Sequence, residues 1–485
     1  MVFNSLDFFI FFPVVLILYI IFPKKYRAVW LLLASYFFYG YANVWSLPLI
    51  LTTTAVSYFC GRLVGNTDIN DKKRRKLYTA LTALICLGLL AVFKYADFAG
   101  SGVFGVLGIF GVNAAVPVIN LMLPVGISFY TFQTMSYVID VYRGDIKAED
   151  NFIYYALYVS FFPQLVAGPI ERSSALLPQL KADYTFKSED TVAGLKLMAI
   201  GFFKKVAVAD SLAVYVNNVF NNEATDNPVS VWCAAVLFAF QIYGDFAGYT
   251  DIARGCARIM GIRLMDNFNE PYRAGSIKEF WGRWHISLSI WFRDYLYIPL
   301  GGNRVNAIRY LMNIAVVFIV SGLWHGAAWN FVIWGALHAI YQITGYLKRK
   351  PVSALYAKLG INENGKTVHT VRVAITFILT VFAWIAFRAN NTADMARLYS
   401  AVFAGSYGVD SFIAAWEQSG FTVVSAAVAI LVTIFMLILD RKTSGGNKLS
   451  SLGAVWWVSL LWCIASAWLI LLGRGEASSF IYFQF

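Results

Sequence analysis

The feature that most restricts the fold of this chain is a series of long uncharged segments. Each is rich in aliphatic and aromatic residues, and together they cover residues 8–22, 28–61, 77–93, 98–139, 152–170, 310–347, 373–387, 419–439 and 449–473. A helix needs about 20 apolar residues to cross the hydrocarbon core of a bilayer. Only 14% of the 485 residues are charged, which is too few to cover a soluble protein of this length. We therefore predict an all-α fold, a polytopic membrane protein.

Basic residues lie in short clusters at the ends of the apolar segments, at residues 24–27, 72–76 and 348–350. Such clusters mark cytoplasmic loops, so the net charge of +12 indicates a membrane topology and not a nucleic-acid partner. Residues 28–61 are then predicted to cross outward and return, with the N-terminus outside. A cleaved signal peptide is not expected, because the charges follow the first apolar segment. The five cysteines show no metal-ligand spacing, so no metal site is expected.

Residues 227–259 begin as an apolar span and then acquire charged side chains. Asp251 lies three residues before Arg254 and seven before Arg258, so one helical face can hold ion pairs at the membrane edge. Asp245 lies deeper, and carboxylates at membrane depth are usually paired or functional. Ion pairing and substrate binding both remain open here, and Asp245 is the candidate substrate contact.

Residues 276–304 combine aromatic and basic side chains in one predicted helix. Three- and four-residue steps define its apolar face, made of Trp281, Trp284, Leu288, Trp291 and Tyr295. Off that face lie Lys278, Arg283, His285, Ser289 and Arg293. Such a helix tends to lie in the membrane interface, and Pro299 with the following glycines is expected to end it. Taken alone, the pattern favours a structural strut over a lip that holds a phosphate-bearing or acidic ligand.

The segment 310–347 has basic residues at both ends and is predicted to enter the bilayer and come back. From Arg309 to His325 a helix rises about 24 Å, less than the hydrocarbon core of about 30 Å. His325 is therefore predicted at membrane depth near the apex of a hairpin, flanked by Gly322 and Gly326. An imidazole there is usually functional, with helix packing as the alternative. A neutral imidazole can act as general base on a hydroxyl that attacks a thioester.

The other histidines lie in different surroundings. His338 is further along the returning helix and is expected to pack, and His369, in a polar stretch, is expected to be solvated. His285 lies on the interfacial segment and is compatible with either role.

Six ordered blocks make the sequence resemble the membrane-bound O-acyltransferase (MBOAT) family, and within it the bacterial branch that contains the membrane subunit of alginate O-acetylation. The blocks are LPVGISFYTFQ (123–133), FFPQLVAGPIERSS (161–174), YGDFAGYTDIARG (243–255), FWGRWHISLSIWFRDYLYIPLGGNR (280–304), SGLWHGAAWNFVIWGALHA (321–339) and FIYFQF (480–485). They occur in the family's order. The resemblance implies one integral membrane domain over residues 1–485, with a motif-bearing core at about 120–345. It also implies a ring of about 11–13 tilted spans plus re-entrant or interfacial helices.

For the site, the resemblance implies that His325 of the WHG motif is catalytic and that His285 of the RWH motif is a second functional position. The expected substrate contacts are Asp245, Trp324, Arg283, Arg293 and Asn313, with Asn303 as the other asparagine ahead of His325. The nucleotide of the donor is expected to be held by basic groups of residues 276–304.

The resemblance further implies an enzyme of the bacterial cytoplasmic membrane that uses acetyl-CoA as acyl donor and has no tightly bound cofactor. The acetyl group would reach an extracytoplasmic polysaccharide, usually through a secreted or periplasmic partner with a serine-hydrolase-like fold. D-alanyl transfer to teichoic acid from a carrier-protein thioester is the alternative within the family.

Two hypotheses from other classes remain. A transporter without chemistry would have charges along a midplane path, and Asp245 with the glycine-broken segment 98–139 is its support. A structural scaffold for a secreted partner is the second. Replacing His325 by alanine discriminates, because only an acyltransferase should fold normally and lose its function.

Overall fold

The computed structural model describes residues 1–109, 124–166, 168–222 and 227–443, and every regular element in those ranges is helical. Among the described residues, six helices are long and apolar enough to cross a membrane: Val44–Asn66, Lys72–Gly102, Pro228–Ile259, Ala307–His325, Lys366–Arg388 and Val423–Arg441. The predicted all-α, polytopic class is confirmed. The predicted number of spans stays a prediction, because residues 110–123 and the apolar segment 449–473 lie outside the described ranges.

The chain forms two compact units, and the first comprises Met1–Met198 and Tyr249–Met265. Its helices are α1 (Leu6–Ile21), α2 (Lys24–Gly40), α3 (Leu47–Asn66), α4 (Lys72–Ile109), α5 (Ile127–Arg143), α6 (Phe152–Ser160), α7 (Phe162–Leu165), α8 (Ser173–Lys181) and most of α9 (Ser188–Phe202). The apolar segment 28–61 is divided between α2 and α3, as its length predicts.

Close contact between α3 and α5 builds the core of this first unit. A Cβ atom on Gly61 would lie 2.6 Å from the Tyr137 ring, so the two helices approach more closely than any larger residue would allow. The Tyr137 ring packs on that of Tyr155, whose hydroxyl donates a hydrogen bond of 2.7 Å to Ser57. The hydroxyls of Tyr155 and Ser57 therefore satisfy each other inside this apolar core.

The second unit comprises Ala199–Gly248 and the described part of Asp266–Phe485. Its elements are a π-helix (Phe203–Ala209), α10 (Asp210–Phe220), part of α11 (Pro228–Ile259), α12 (Ile277–Trp281), α13 (Ile286–Phe292), a second π-helix (Arg293–Tyr297), α14 (Ala307–His325), α15 (Trp329–Lys358), α16 (Lys366–Arg388), α17 (Thr392–Ala404), α18 (Val409–Gln418) and α19 (Val423–Thr443). This unit holds every candidate site residue.

Segment 276–304 departs from its predicted structure. It is not one helix, because the chain leaves the helical path at residues 282–285 between α12 and α13. The break turns Trp284 inward, where its side chain is buried. The aromatic stripe therefore runs over two short helices and the break between them, and the prediction of a single interfacial helix is wrong.

Candidate active site

Helices α14 and α15 form the predicted hairpin, and His325 is the last residue of α14. The two helices are in backbone contact. A Cβ atom on Gly322 would lie 2.3 Å from the Phe331 carbonyl oxygen, and one on Gly335 would lie 2.3 Å from the Phe318 carbonyl oxygen. Glycine at both positions therefore allows the approach that fixes the hairpin. The predicted position of His325 at its apex is confirmed.

Aromatic rings surround the His325 imidazole. Its ring centroid lies 4.9 Å from that of Trp324, 5.0 Å from Trp334 and 5.3 Å from Phe387, and the residue is 5% exposed. All three partners meet the imidazole at steep angles, with interplanar values of 76–86°. Their bulk restricts the space in which the imidazole can turn.

His285 occupies the break between α12 and α13 and has a left-handed backbone, with φ 43° and ψ 56°. Its ring is fully buried, 4.7 Å from Phe246 and 6.0 Å from Trp324. The indole of Trp324 therefore contacts both histidines. Together they form the centre of the candidate site, although they are 40 positions apart in the sequence.

Asn267 holds the break in place and was not among the predicted site residues. Its carbonyl oxygen accepts from the Ile286 N–H at 2.9 Å, and its side-chain oxygen accepts from the Ser287 hydroxyl at 2.6 Å. A left-handed conformation at a residue other than glycine costs about 1–3 kcal/mol and persists where its surroundings fix it. No local motif predicts the contact between Asn267 and Ser287, because the two residues are 20 positions apart.

A cavity of about 460 Å³ lies between segment 276–304 and the α14–α15 hairpin. Its lining includes two basic residues, Lys278 and Arg293, and the polar residues Ser289, Asn303, Ser321 and Gln342. Along α14 the lining runs from Tyr310 to Ser321. Ser321 is one helical turn, about 6 Å, before His325. The cavity thus extends from the basic end of the hairpin almost to the histidine at its apex.

Three of the residues predicted to contact substrate form different interactions within the protein. Arg293 lines the cavity and pairs with Asp294 at 2.7 Å. Arg283 instead pairs with Glu279 at 2.8 Å and is not among the lining residues. Asn313 donates to the Gly302 carbonyl oxygen at 3.1 Å, which fastens the loop before α14 to that helix.

Asp245 belongs to a buried cluster of charges and not to the cavity lining. The Lys205 ammonium lies 2.7 Å from Asp245 and 2.9 Å from Asp210, and Lys204 lies 2.6 Å from Asp440. The Asp440 carboxylate also accepts from the Tyr243 hydroxyl at 2.7 Å. We call these residues (Lys204, Lys205, Asp210, Tyr243, Asp245 and Asp440) the charge cluster. Ion pairing therefore accounts for a carboxylate at this depth, and substrate binding by Asp245 stays a prediction.

One of the two ion pairs expected near the end of α11 is present, and the other arginine has a different partner. Arg254 pairs with Asp251 at 3.3 Å, as predicted, whereas Arg258 pairs with Asp190 of α9 at 3.1 Å. Sequence spacing predicts the first pair. It cannot predict the second, because Asp190 belongs to another helix.

The described residues define a multi-pass helical membrane protein with a buried histidine at the tip of a helical hairpin, beside a cavity. The family model of MBOAT, the membrane-bound O-acyltransferase family, matches residues 146–389. This range contains all the candidate site residues, and the chain belongs to the MBOAT family. It is accordingly an O-acyltransferase and a multi-pass membrane protein, as the resemblance predicted.

Three relatives indicate the branch of the family. The chain is 37% identical to the probable alginate O-acetylase AlgI of Pseudomonas putida, covering 100% of both chains. It is 32% identical to a peptidoglycan O-acetyltransferase of Helicobacter pylori, over 96% of this chain and 92% of the relative. Similarity to the teichoic acid D-alanyltransferase of Bacillus subtilis, at 30% identity, covers 46% of this chain and 59% of the relative.

Proposed function

We propose that the chain transfers an acetyl group from acetyl-CoA in the cytoplasm to a hydroxyl of an extracytoplasmic polysaccharide, directly or through a secreted partner of serine-hydrolase type. The membrane would be the bacterial cytoplasmic membrane. The observation that carries the proposal is the cavity that extends from the basic end of the α14–α15 hairpin to one turn from His325. Full-length similarity to O-acetylating relatives supports acetyl over D-alanyl as the transferred group.

The charge distribution supports a donor site on the cytoplasmic side of the hairpin. Arg304 and Arg309 precede or begin α14, and residues 348–350 supply three basic residues on α15. Basic residues at both ends of a membrane hairpin favour the cytoplasmic face for those ends. Lys278 and Arg293 line the cavity and suit the phosphate groups of coenzyme A, with the thioester directed toward Ser321.

The chemistry needs one proton acceptor at the place where the substrates meet. The imidazole of His325 takes the proton from the acceptor hydroxyl while that oxygen attacks the thioester carbonyl carbon. A C–O bond forms, the C–S bond breaks, and the departing thiolate receives the proton from the imidazolium. No protein nucleophile and no net proton release are required. His285 contacts the same Trp324 indole as His325 and is assigned the second functional position.

The test is acetyl transfer by the purified full-length chain in detergent, with labelled acetyl-CoA and a hydroxyl-bearing oligosaccharide. Loss of a general base lowers turnover about 10²–10⁴-fold, which is the expectation for His325→Ala. The matched control is His369→Ala, because His369 is an exposed histidine outside the cavity lining. Equal transfer by wild type and His325→Ala would overturn the scheme. If the protein transferred D-alanine from a carrier-protein thioester and nothing from acetyl-CoA, the transferred group would be D-alanyl and not acetyl.

A further inference from the structure

His338 of α15 is a fully buried histidine that the proposed chemistry does not use. Its ring is nearly parallel to Phe280 and Phe318, with interplanar angles of 6° and 19° and centroids 6.3 and 6.1 Å away. Trp334 meets its edge at 4.9 Å. The residue therefore lies where α12, α14 and α15 converge, and packing alone was the expectation from the sequence.

A hydrogen bond distinguishes His338 from an ordinary packing residue. The Trp281 Nε1–H donates to His338 Nδ1 at 3.3 Å, and this contact joins α12 to α15. An indole nitrogen is a donor only, so Nδ1 must present its lone pair. The bond consequently requires a neutral imidazole with its proton on Nε2. An aliphatic residue at this position would fill the space and leave the indole N–H without an acceptor.

The residue that His338 holds is part of the wall of the cavity. Trp281 and Phe318 both line it, whereas His338 is behind them and is not a lining residue. Trp281 also meets the Trp334 ring at 5.7 Å, and Trp334 contacts His325 at 5.0 Å. The orientation of the Trp281 indole thus affects the cavity surface and, through one further ring, the imidazole of His325.

We propose that His338 is a positioning residue for the acyl donor, because it fixes the Trp281 indole as a wall of the donor cavity. The inference rests on the proposed function for the identity of the donor. His338 does not touch the reacting atoms. Its Nδ1 lone pair sets the Trp281 ring, and that ring shapes the path between Lys278 and Ser321.

The test compares two substitutions at His338 in the full-length chain, with separate kinetics for donor and acceptor. His338→Leu removes the acceptor, while His338→Asn keeps an acceptor at the place of Nδ1, since its Oδ1 is the same number of bonds from Cβ. Loss of one hydrogen bond should raise the KM for acetyl-CoA about five- to tenfold, with the KM for the acceptor oligosaccharide unchanged. His338→Asn should restore the wild-type donor KM.

Trp281→Phe removes the donor of the same bond and keeps an aromatic wall, so it should raise the donor KM as His338→Leu does. The double variant should add little, because both changes break one bond. Trp30→Phe is the matched control, since its indole donates to the Val15 carbonyl oxygen at 3.0 Å in another part of the chain. That control should leave the donor KM unchanged.

Several outcomes would overturn the inference. A donor KM that stays at the wild-type value in His338→Leu, or one that rises equally in Trp30→Phe, contradicts positioning of the donor. Equal rises in both KM values, or no rescue by His338→Asn, would indicate a purely structural role. Full transfer by His325→Ala would refute the proposed function instead, so the two failures are distinguishable.

Discussion

Substitution of Lys205 by methionine removes an ammonium group from the charge cluster and keeps most of the apolar side chain. The ammonium is 2.7 Å from Asp245 and 2.9 Å from Asp210, and the Lys205 and Asp245 side chains are only 7% and 3% exposed. The substitution would leave two carboxylates without this cation in surroundings of low dielectric. Removal of one partner from a buried pair costs about 3–5 kcal/mol, and this is the expected loss in the free energy of unfolding.

The chain contains a pair of the same residue types that serves as a control. Lys24 and Asp183 are 2.6 Å apart, but their side chains are 58% and 68% exposed. Exposed pairs contribute about 0–1 kcal/mol because water and salt screen them. Lys24→Met should therefore cost at most about 1 kcal/mol. The contrast isolates burial, since the distance and the chemistry of the two pairs are nearly the same.

The assay is unfolding of the detergent-purified protein, followed by the loss of helical circular dichroism on heating or on addition of a denaturing detergent. Asp245→Asn should cost less than Lys205→Met, because Lys205 then keeps Asp210 as its partner. The double variant Lys205→Met/Asp245→Asn should be more stable than Lys205→Met alone. If Lys205→Met and Lys24→Met agree within about 0.5 kcal/mol, the reasoning from burial is refuted.

Two further predictions concern a buried carboxyl and a close helix contact. Burial raises the pKa of Glu171 to about 7, against smaller lowering effects of the Met265 N–H and Arg254. The folded state thus favours the protonated acid. The free energy of unfolding should therefore be highest below pH 4.5 and should fall by roughly 3 kcal/mol as the pH rises to about 7. Glu171→Gln should abolish that slope between pH 5 and 8, and an unchanged slope would exclude Glu171 as its source. Gly322→Ala should cost about 1–3 kcal/mol and reduce transfer, because its Cβ would lie 2.3 Å from the Phe331 carbonyl oxygen. Gly345→Ala, which meets nothing within 4 Å, should be neutral or stabilising, so equal unfolding midpoints for the two variants would contradict the close-packing argument.

Local patterns predicted the hairpin that carries His325. Apolar length, basic residues at both ends and glycine near the apex are all properties of one continuous stretch, residues 309–350. The physical causes act within that stretch, because the bilayer sets the helix length and the charges set the ends. The same reasoning correctly expected a buried environment for His325.

Contacts between distant parts of the chain explain what the sequence did not reveal. The break at His285 is stabilised by Asn267, and a helical spacing of aromatic residues continued through it without interruption. Lys204 and Lys205 pair with carboxylates of α11 and α19, which are far along the chain, so no local pattern predicted these ion pairs. Periodicity reports which faces a helix has, and it does not report where the backbone departs from the helix.

The π-helix Phe203–Ala209 has a consequence for the register of everything that follows it. In an α-helix, positions five apart point about 140° away from each other, so Lys205 and Asp210 would not meet. Here the Asp210 N–H donates to the Lys205 carbonyl oxygen, five residues earlier, and the wider turn brings the two side chains together. Deleting one residue between Lys205 and Asp210 would place them four positions apart, the spacing at which an ordinary α-helix also brings two side chains together. The widened turn therefore absorbs one additional residue and keeps the Lys205 and Asp210 side chains on the same face.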